Sequence, residues 1–145
     1  MMCYEDISPA ITDEERVKEI TLDGLQKCGF NISDVDYDLD TVKRIQKSII
    51  YFKMLYLYGV DMELEDCYFS DGFCIYLGNY LRSLYQLEWK ETSEDMFILI
   101  GEGGVSIDIH AMVFRYLDDG NIESDINVVE LFSENYAAVH GLKKR

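Results

Sequence analysis

Three side chains could do chemistry together if one strand carried them: Ser106, Asp108 and His110. Alternate positions on a strand share a face. An extended backbone there sets a hydroxyl, a carboxylate and an imidazole side by side, the parts of a nucleophile, an orienting acid and a general base. Their order and spacing match no hydrolase signature, and no G-x-S-x-G elbow occurs. The wet side of an ordinary strand alternates in the same way. A second candidate is Asp34-x-Asp36-x-Asp38, which opens like a calcium loop. The position that needs glycine holds Leu39, and the position that needs a bidentate glutamate holds Ile45, so the loop does not continue as one.

Other chemistry is thinner still. Cys3, Cys28, Cys67 and Cys74 form no C-x-x-C pair and have no histidine at ligand spacing, so neither a metal nor a cofactor is expected. Cys28 and Cys74 fall on apolar helix faces and read as small core residues. Gly101-Glu102-Gly103-Gly104 looks like a phosphate cradle but lacks the Lys-Ser/Thr ending of a P-loop. His140, before Gly141, suits a helix C-terminus without catalysis.

Charge narrows the partners. The chain has 145 residues and a formal net charge of −15. That disfavours nucleic acid, whose phosphates demand Lys and Arg, and anionic membrane surfaces. It favours a basic protein partner, because complementary charge raises association rate and selectivity. Residues 1–40 hold eleven acidic residues against Arg16, Lys18 and Lys27. Within them Asp34, Asp36, Tyr37 and Asp38 form a candidate contact strip. No run of about 20 apolar residues offers a membrane span. No basic start followed by an apolar run opens the sequence, so a cytoplasmic protein is expected.

These residues need elements to position them. One domain, 1–145, is expected, with an N-terminal arm (1–11) and a basic tail (141–145) left in solvent. Thr12 to Glu15 fits a capping box for a helix over 13–28. Asp38 or Asp40 caps a second helix over 41–58. Its Lys43, Arg44, Lys47 and Lys53 favour the wet side, and its apolar end, Met54 to Tyr58, marks it as the central helix. Tyr51, Tyr56, Tyr80 and Tyr85 are expected in or beside the core. A third helix starts near Glu65 or Ser70 and runs to Gln86, with Gly78 admitting a close neighbour, the second helix for instance. Strands follow at Trp89, at Met96 to Ile100, and at Val105 to Ile109, the last two joined by a hairpin at the glycine loop. A short helix covers 109–117, and Ser124 caps a last helix over 125–139. Helices, then a small antiparallel sheet, then helices is an α+β order.

Leu77-Gly78, Trp89, Ile107-Asp108, Met112-Val113, Arg115 and Leu117-Asp118-Asp119-Gly120 together resemble an uncharacterised family of small bacterial α+β domains, over about residues 73–132. That family shows Leu-Gly in a helix, one Trp opening a strand, and a closing Ile-Asn-Pro-x-x-Met-Val-x-Lys-Arg-Leu-x-Asp-Gly segment. Here Asp108 replaces Asn, Ile109 replaces Pro, and Phe114-Arg115-Tyr116 stands where two basic residues are common. The resemblance implies a bacterial cytoplasmic protein and a helix after Asp108, and carries no catalytic residue.

Three functions remain open. The first is a non-catalytic module that binds a basic protein, for example an immunity protein against a basic toxin domain. The second is an enzyme or small-ligand protein using Ser106, Asp108 and His110. The third is a self-associating structural protein using the apolar end of the second helix.

Overall fold

The computed structural model describes residues 13–60, 63–93 and 96–145; the arm 1–11 and Thr12 lie outside them. The fold is α+β, a small sheet among helices.

Helix α1 (Glu14–Lys27) is capped by Asp13, whose carboxylate accepts from the Arg16 amide at 2.8 Å. It ends in a Schellman turn, with Phe30 N donating to Leu25 O and Gly29 N to Gln26 O. Helix α2 (Leu39–Leu57) is capped by Asp38 and ends in the same way at Gly59 and Val60. Helix α3 (Leu64–Leu84) opens on a reciprocal pair between Glu63 and Asp66. It starts earlier than the Ser70 alternative because that pair holds its first turn.

The central helix is α3, not α2. It packs on α1, α2 and α4, and most of its residues from Asp66 to Leu81 are buried. Two glycines let α1 approach: a Cβ on Gly72 would stand 2.4 Å from Ile20 Cγ2, and one on Gly24 would stand 2.9 Å from Phe73 Cζ. The end of α2 instead runs out past the core, leaving Tyr51, Tyr56 and Tyr58 exposed. An apolar run reads the same whether a neighbour covers it or not.

Strands β1 (Glu88–Ser93), β2 (Met96–Ile100) and β3 (Ser106–Ile107) form an antiparallel sheet in the order β1-β2-β3. The register aligns Trp89 with Leu99 and Leu99 with Ile107, so these three make one inward row. Trp89 lies against Gly78, where a Cβ would meet its ring at 2.2 Å, and its indole N–H donates to Asn79 Oδ1 at 2.9 Å. The close neighbour of Gly78 is therefore this ring, not α2. The β2–β3 turn needs glycine at 103 and 104, where φ is +72° and +79°.

After β3 comes α4 (Ile109–Asp118), capped by Asp108. The expected 125–139 helix is broken. Ile126 and Val128 are both buried at alternate positions, which an extended segment achieves and a helix does not. A short 3₁₀ turn (Val129–Phe132) follows, and Ser133 caps α5 (Glu134–His140).

The basic tail keeps Lys143, Lys144 and Arg145 exposed, as expected, but hydrogen bonds hold it against the end of α3. Gln86 N donates to Lys143 O, and Arg145 N to Leu84 O. The Arg145 guanidinium donates to the Arg82, Tyr85 and Leu87 carbonyls and to Glu88. It thus sits on the negative end of α3, where a cation is favoured. Arg145→Ala is expected to lower stability by about 1 kcal/mol, read as a shift in the urea midpoint with unchanged slope.

Candidate functional site

The Ser106, Asp108 and His110 trio does not share a face. β3 stops at Ile107, leaving Ser106 exposed at its start. The Asp108 carboxylate is spent on the Ala111 amide at 2.9 Å, as the cap of α4. Two residues later His110 points elsewhere: its Nε2 is 3.6 Å from Asp71 of α3, and its ring stacks parallel to Phe114. The expectation of one continuous strand fails because a cap residue turns the chain into a helix at once. An open groove of about 500 Å³ runs past Asp108, Arg115, Tyr116, Asp119, Ser124 and Asp125, and neither Ser106 nor His110 lines it.

His110 still has a measurable signature. Burial lowers its pKa from 6.5, against the opposing charges of Asp71 and Asp108. The unfolded chain then takes up a proton near pH 6.5 that the folded chain refuses until lower pH. Stability rises with pH wherever the unfolded state holds more protons. The His110 contribution is therefore whole above about pH 6.5 and is lost as pH falls through and below that value. Thermal unfolding of the parent should weaken more steeply from pH 7.5 to 5 than that of His110→Asn. Parallel curves would refute the assignment.

Lysine 53, expected on the wet side, is 1% exposed. Its ammonium donates to Ser124 Oγ and lies 4.1 Å from the centroid of the Tyr116 ring. The Ser124 hydroxyl in turn donates to Asn121 O at 2.9 Å. A hydroxyl that accepts from the ammonium and gives its own proton to a carbonyl is not poised as a nucleophile. The pair pins the 119–125 loop to α2 and α4. Amphipathic spacing cannot find it, because the covering residue lies 71 positions away.

The acidic strip is present, and its members have different duties. Asp38 caps α2 through the Thr41 amide at 2.8 Å. Asp34 and Asp36 accept from the amides of Val35 and Tyr37. Asp36, whose side chain is 79% exposed, lies 3.6 Å from Lys18. Tyr37 is a packing residue: its ring stacks on Tyr80 with centroids 5.4 Å apart, meets Tyr76 edge-on, and carries Lys18 above it at 4.7 Å. Its hydroxyl donates to Glu14 at 3.0 Å. Burial first, and then Glu14, push that phenol well above its ordinary pKa. The Tyr76 hydroxyl donates to Asp36 O and fixes the turn to α3.

These contacts lay residues 34–38 along the N-terminal half of α1. The face they create is wider than the strip. Glu15, Glu19 and Asp23 recur every four residues on the outer side of α1, all exposed, and belong to no ion pair among the described residues. Residues at that spacing share a helix face. Asp34, Asp36 and Asp40 extend the margin, also exposed. The helical period could have found Glu15, Glu19 and Asp23; their adjacency to the 34–38 turn depends on the Tyr37–Glu14 and Lys18–Asp36 contacts. Such a face can attract and orient cations, with low-cost contacts at an exposed rim.

Among the described residues no group of three or more His, Cys, Asp and Glu is placed to hold a metal ion. No helix there is long and apolar enough to cross a membrane. Burial pushes the Cys28 thiol pKa up, away from reactivity. No family model, curated protein or solved structure matches the chain.

Proposed function

We propose that this chain is a non-catalytic binding module whose acidic face, on α1 and the 34–40 turn, receives a cationic protein. The observation that carries the reading is the exposed, evenly spaced row Glu15, Glu19 and Asp23 beside Asp34 and Asp36. A face of one sign raises the local concentration of an oppositely charged partner and speeds its capture. The rigid Tyr37–Tyr76–Tyr80 cluster beneath the turn supports the reading further, since a preorganised surface loses less entropy on binding. In its specific form, the module is an immunity protein that neutralises a basic toxin domain in the bacterial cytoplasm.

Affinity capture from native-host lysate tests this. At low salt the chain should retain one dominant basic protein, released as salt is raised. If that protein is a toxin, its expression should arrest growth and co-expression of this chain should restore it. An empty capture at low salt sinks the proposal.

A further inference from the structure

We propose that the notch between residues 84–88 and the glycine hairpin loop is a recognition site for an extended Lys-x-Arg segment of a partner protein, and that this chain's own tail fills it as a built-in competitor. The notch shares no residue with the acidic face. One wall is the connector from the end of α3 into β1. The other is Gly101-Glu102, from the loop that looks like a phosphate cradle in sequence. The tail lies between them: Tyr85 and Lys144 form an antiparallel bridge, Gln86 N donates to Lys143 O, and Arg145 N donates to Leu84 O.

The bonds show what the notch reads. In an extended segment alternate side chains share a face, so Lys143 and Arg145 reach into it together. Lys143 Nζ lies 2.8 Å from Glu102 on the hairpin wall, and Arg145 Nη2 lies 3.2 Å from Glu88 on the other. The guanidinium also donates to the carbonyls of Arg82, Tyr85 and Leu87, at and just past the end of α3. A planar fork of donors serves several acceptors at once, which selects arginine over lysine there. Arg82 holds the other oxygen of Glu88 at 3.0 Å, so that carboxylate is set in place before a segment arrives. The middle residue, Lys144, is held through its main chain, so its side chain is not read.

The occupant is exchangeable. Lys143, Lys144 and Arg145 are all exposed, whereas Leu142 before them packs half-buried against the core. Exposed ion pairs contribute little each, so 143–145 can lift while Leu142 stays. An open groove of about 600 Å³ runs beside the tail, lined by Gln86, Glu88, Ile100, Gly101, Glu102 and Arg145. Its two carboxylates favour a basic segment longer than the tail. A tethered tail competes at an effective concentration of about millimolar. An incoming segment therefore binds the intact chain more weakly than a chain whose tail cannot dock.

Two acetylated, amidated peptides of equal charge, Leu-Lys-Ser-Arg and Leu-Ser-Lys-Arg, test this against the full chain by two-dimensional NMR. In the variant K143E/R145E the tail is repelled by Glu102 and Glu88. That variant should bind the first peptide saturably, in the millimolar range, with amide shifts at residues 86–88 and 101–102. The parent should bind it at least tenfold more weakly. The second peptide, whose cations are adjacent, should bind the variant several-fold more weakly than the first. Adding E88Q and E102Q to the variant should weaken the first peptide at least tenfold. If circular dichroism shows K143E/R145E unfolded, K143A/R145A gives the same reading. Four results would each overturn the proposal: no saturable shift in the tail variant, equal affinity in the parent, equal affinity for the two peptides, or binding indifferent to E88Q and E102Q. The probes are peptides and leave Glu15, Glu19 and Asp23 unchanged, so this site and the acidic face can each fail alone.

Discussion

Gly78→Val should lower stability by about 3 kcal/mol, at the upper end of what an overpacked core site costs. At this chain length that corresponds to a fall of about 6–12 °C in unfolding midpoint. The new Cβ would lie 2.2 Å from Cζ2 and 2.3 Å from Cη2 of Trp89, and the γ-methyls would crowd the site further. The ring cannot simply slide away. Its N–H is held by Asn79 on the same helix, and Trp89 is registered against Leu99 in the sheet. Moving it moves β1 against α3. Gly78→Ala should do less, because the helix gains up to about 1 kcal/mol in propensity against the same clash. Trp89 is the chain's single tryptophan, so its emission should shift to the red as the indole leaves its seat. A midpoint within 2 °C of the parent, with unmoved emission, would contradict the packing described here.

That contact also illustrates what sequence patterning can and cannot deliver. The helical stripe around Leu77 and Leu81 and the strand at Trp89 are each legible from local periodicity, as are the glycine hairpin and the caps Asp38 and Asp108. Their α+β order follows. What brings Gly78 to the indole is the path of the chain between α3 and β1, which no local period encodes. The same limit explains Lys53, which takes its partner from the 119–125 loop. It also explains the end of α2, which looks central although its Tyr56 and Tyr58 stay exposed. The broken last helix has a local cause: Ile126 and Val128 compete for the core at a strand-like spacing, and Ser133 then restarts the helix.

The candidate face was half legible. Alternating aspartates at 34, 36 and 38 are conspicuous, yet Asp38 is committed to a cap and Tyr37 to an aromatic cluster. The residues freest to meet a partner, Glu15, Glu19 and Asp23, sit on a helix whose outer side looks merely solvated. The Tyr37–Glu14 bond and the contacts of Lys18 with Asp36 and the Tyr37 ring join the two stretches.

The triple variant E15K/E19K/D23K should lose its cationic partner almost completely, with affinity falling about 100-fold, or about 2.7 kcal/mol. Each replacement changes charge by two, so −15 becomes −9, and three attractive positions become repulsive. Most of the loss should fall on the association rate, as expected for exposed charges that steer encounter. Stability should change by no more than about 1 kcal/mol, the scale of Glu15's favourable place near the start of α1. Undiminished affinity in a folded triple variant would move the binding surface away from α1. Asp36→Lys is a sharper companion: it places a second cation beside Lys18, where the present pair spans 3.6 Å, and should loosen the 34–38 turn as well as binding.

The most direct measurement is the association rate of the captured partner with the intact chain, followed by stopped flow across ionic strength. Electrostatic capture by the acidic face requires the rate to fall at least tenfold between about 20 and 500 mM salt, as the Debye length shrinks from about 20 Å to a few ångströms. A rate that stays flat over that range would mean that charge does not bring the partner in, and the acidic face would then serve only to keep the protein in solution.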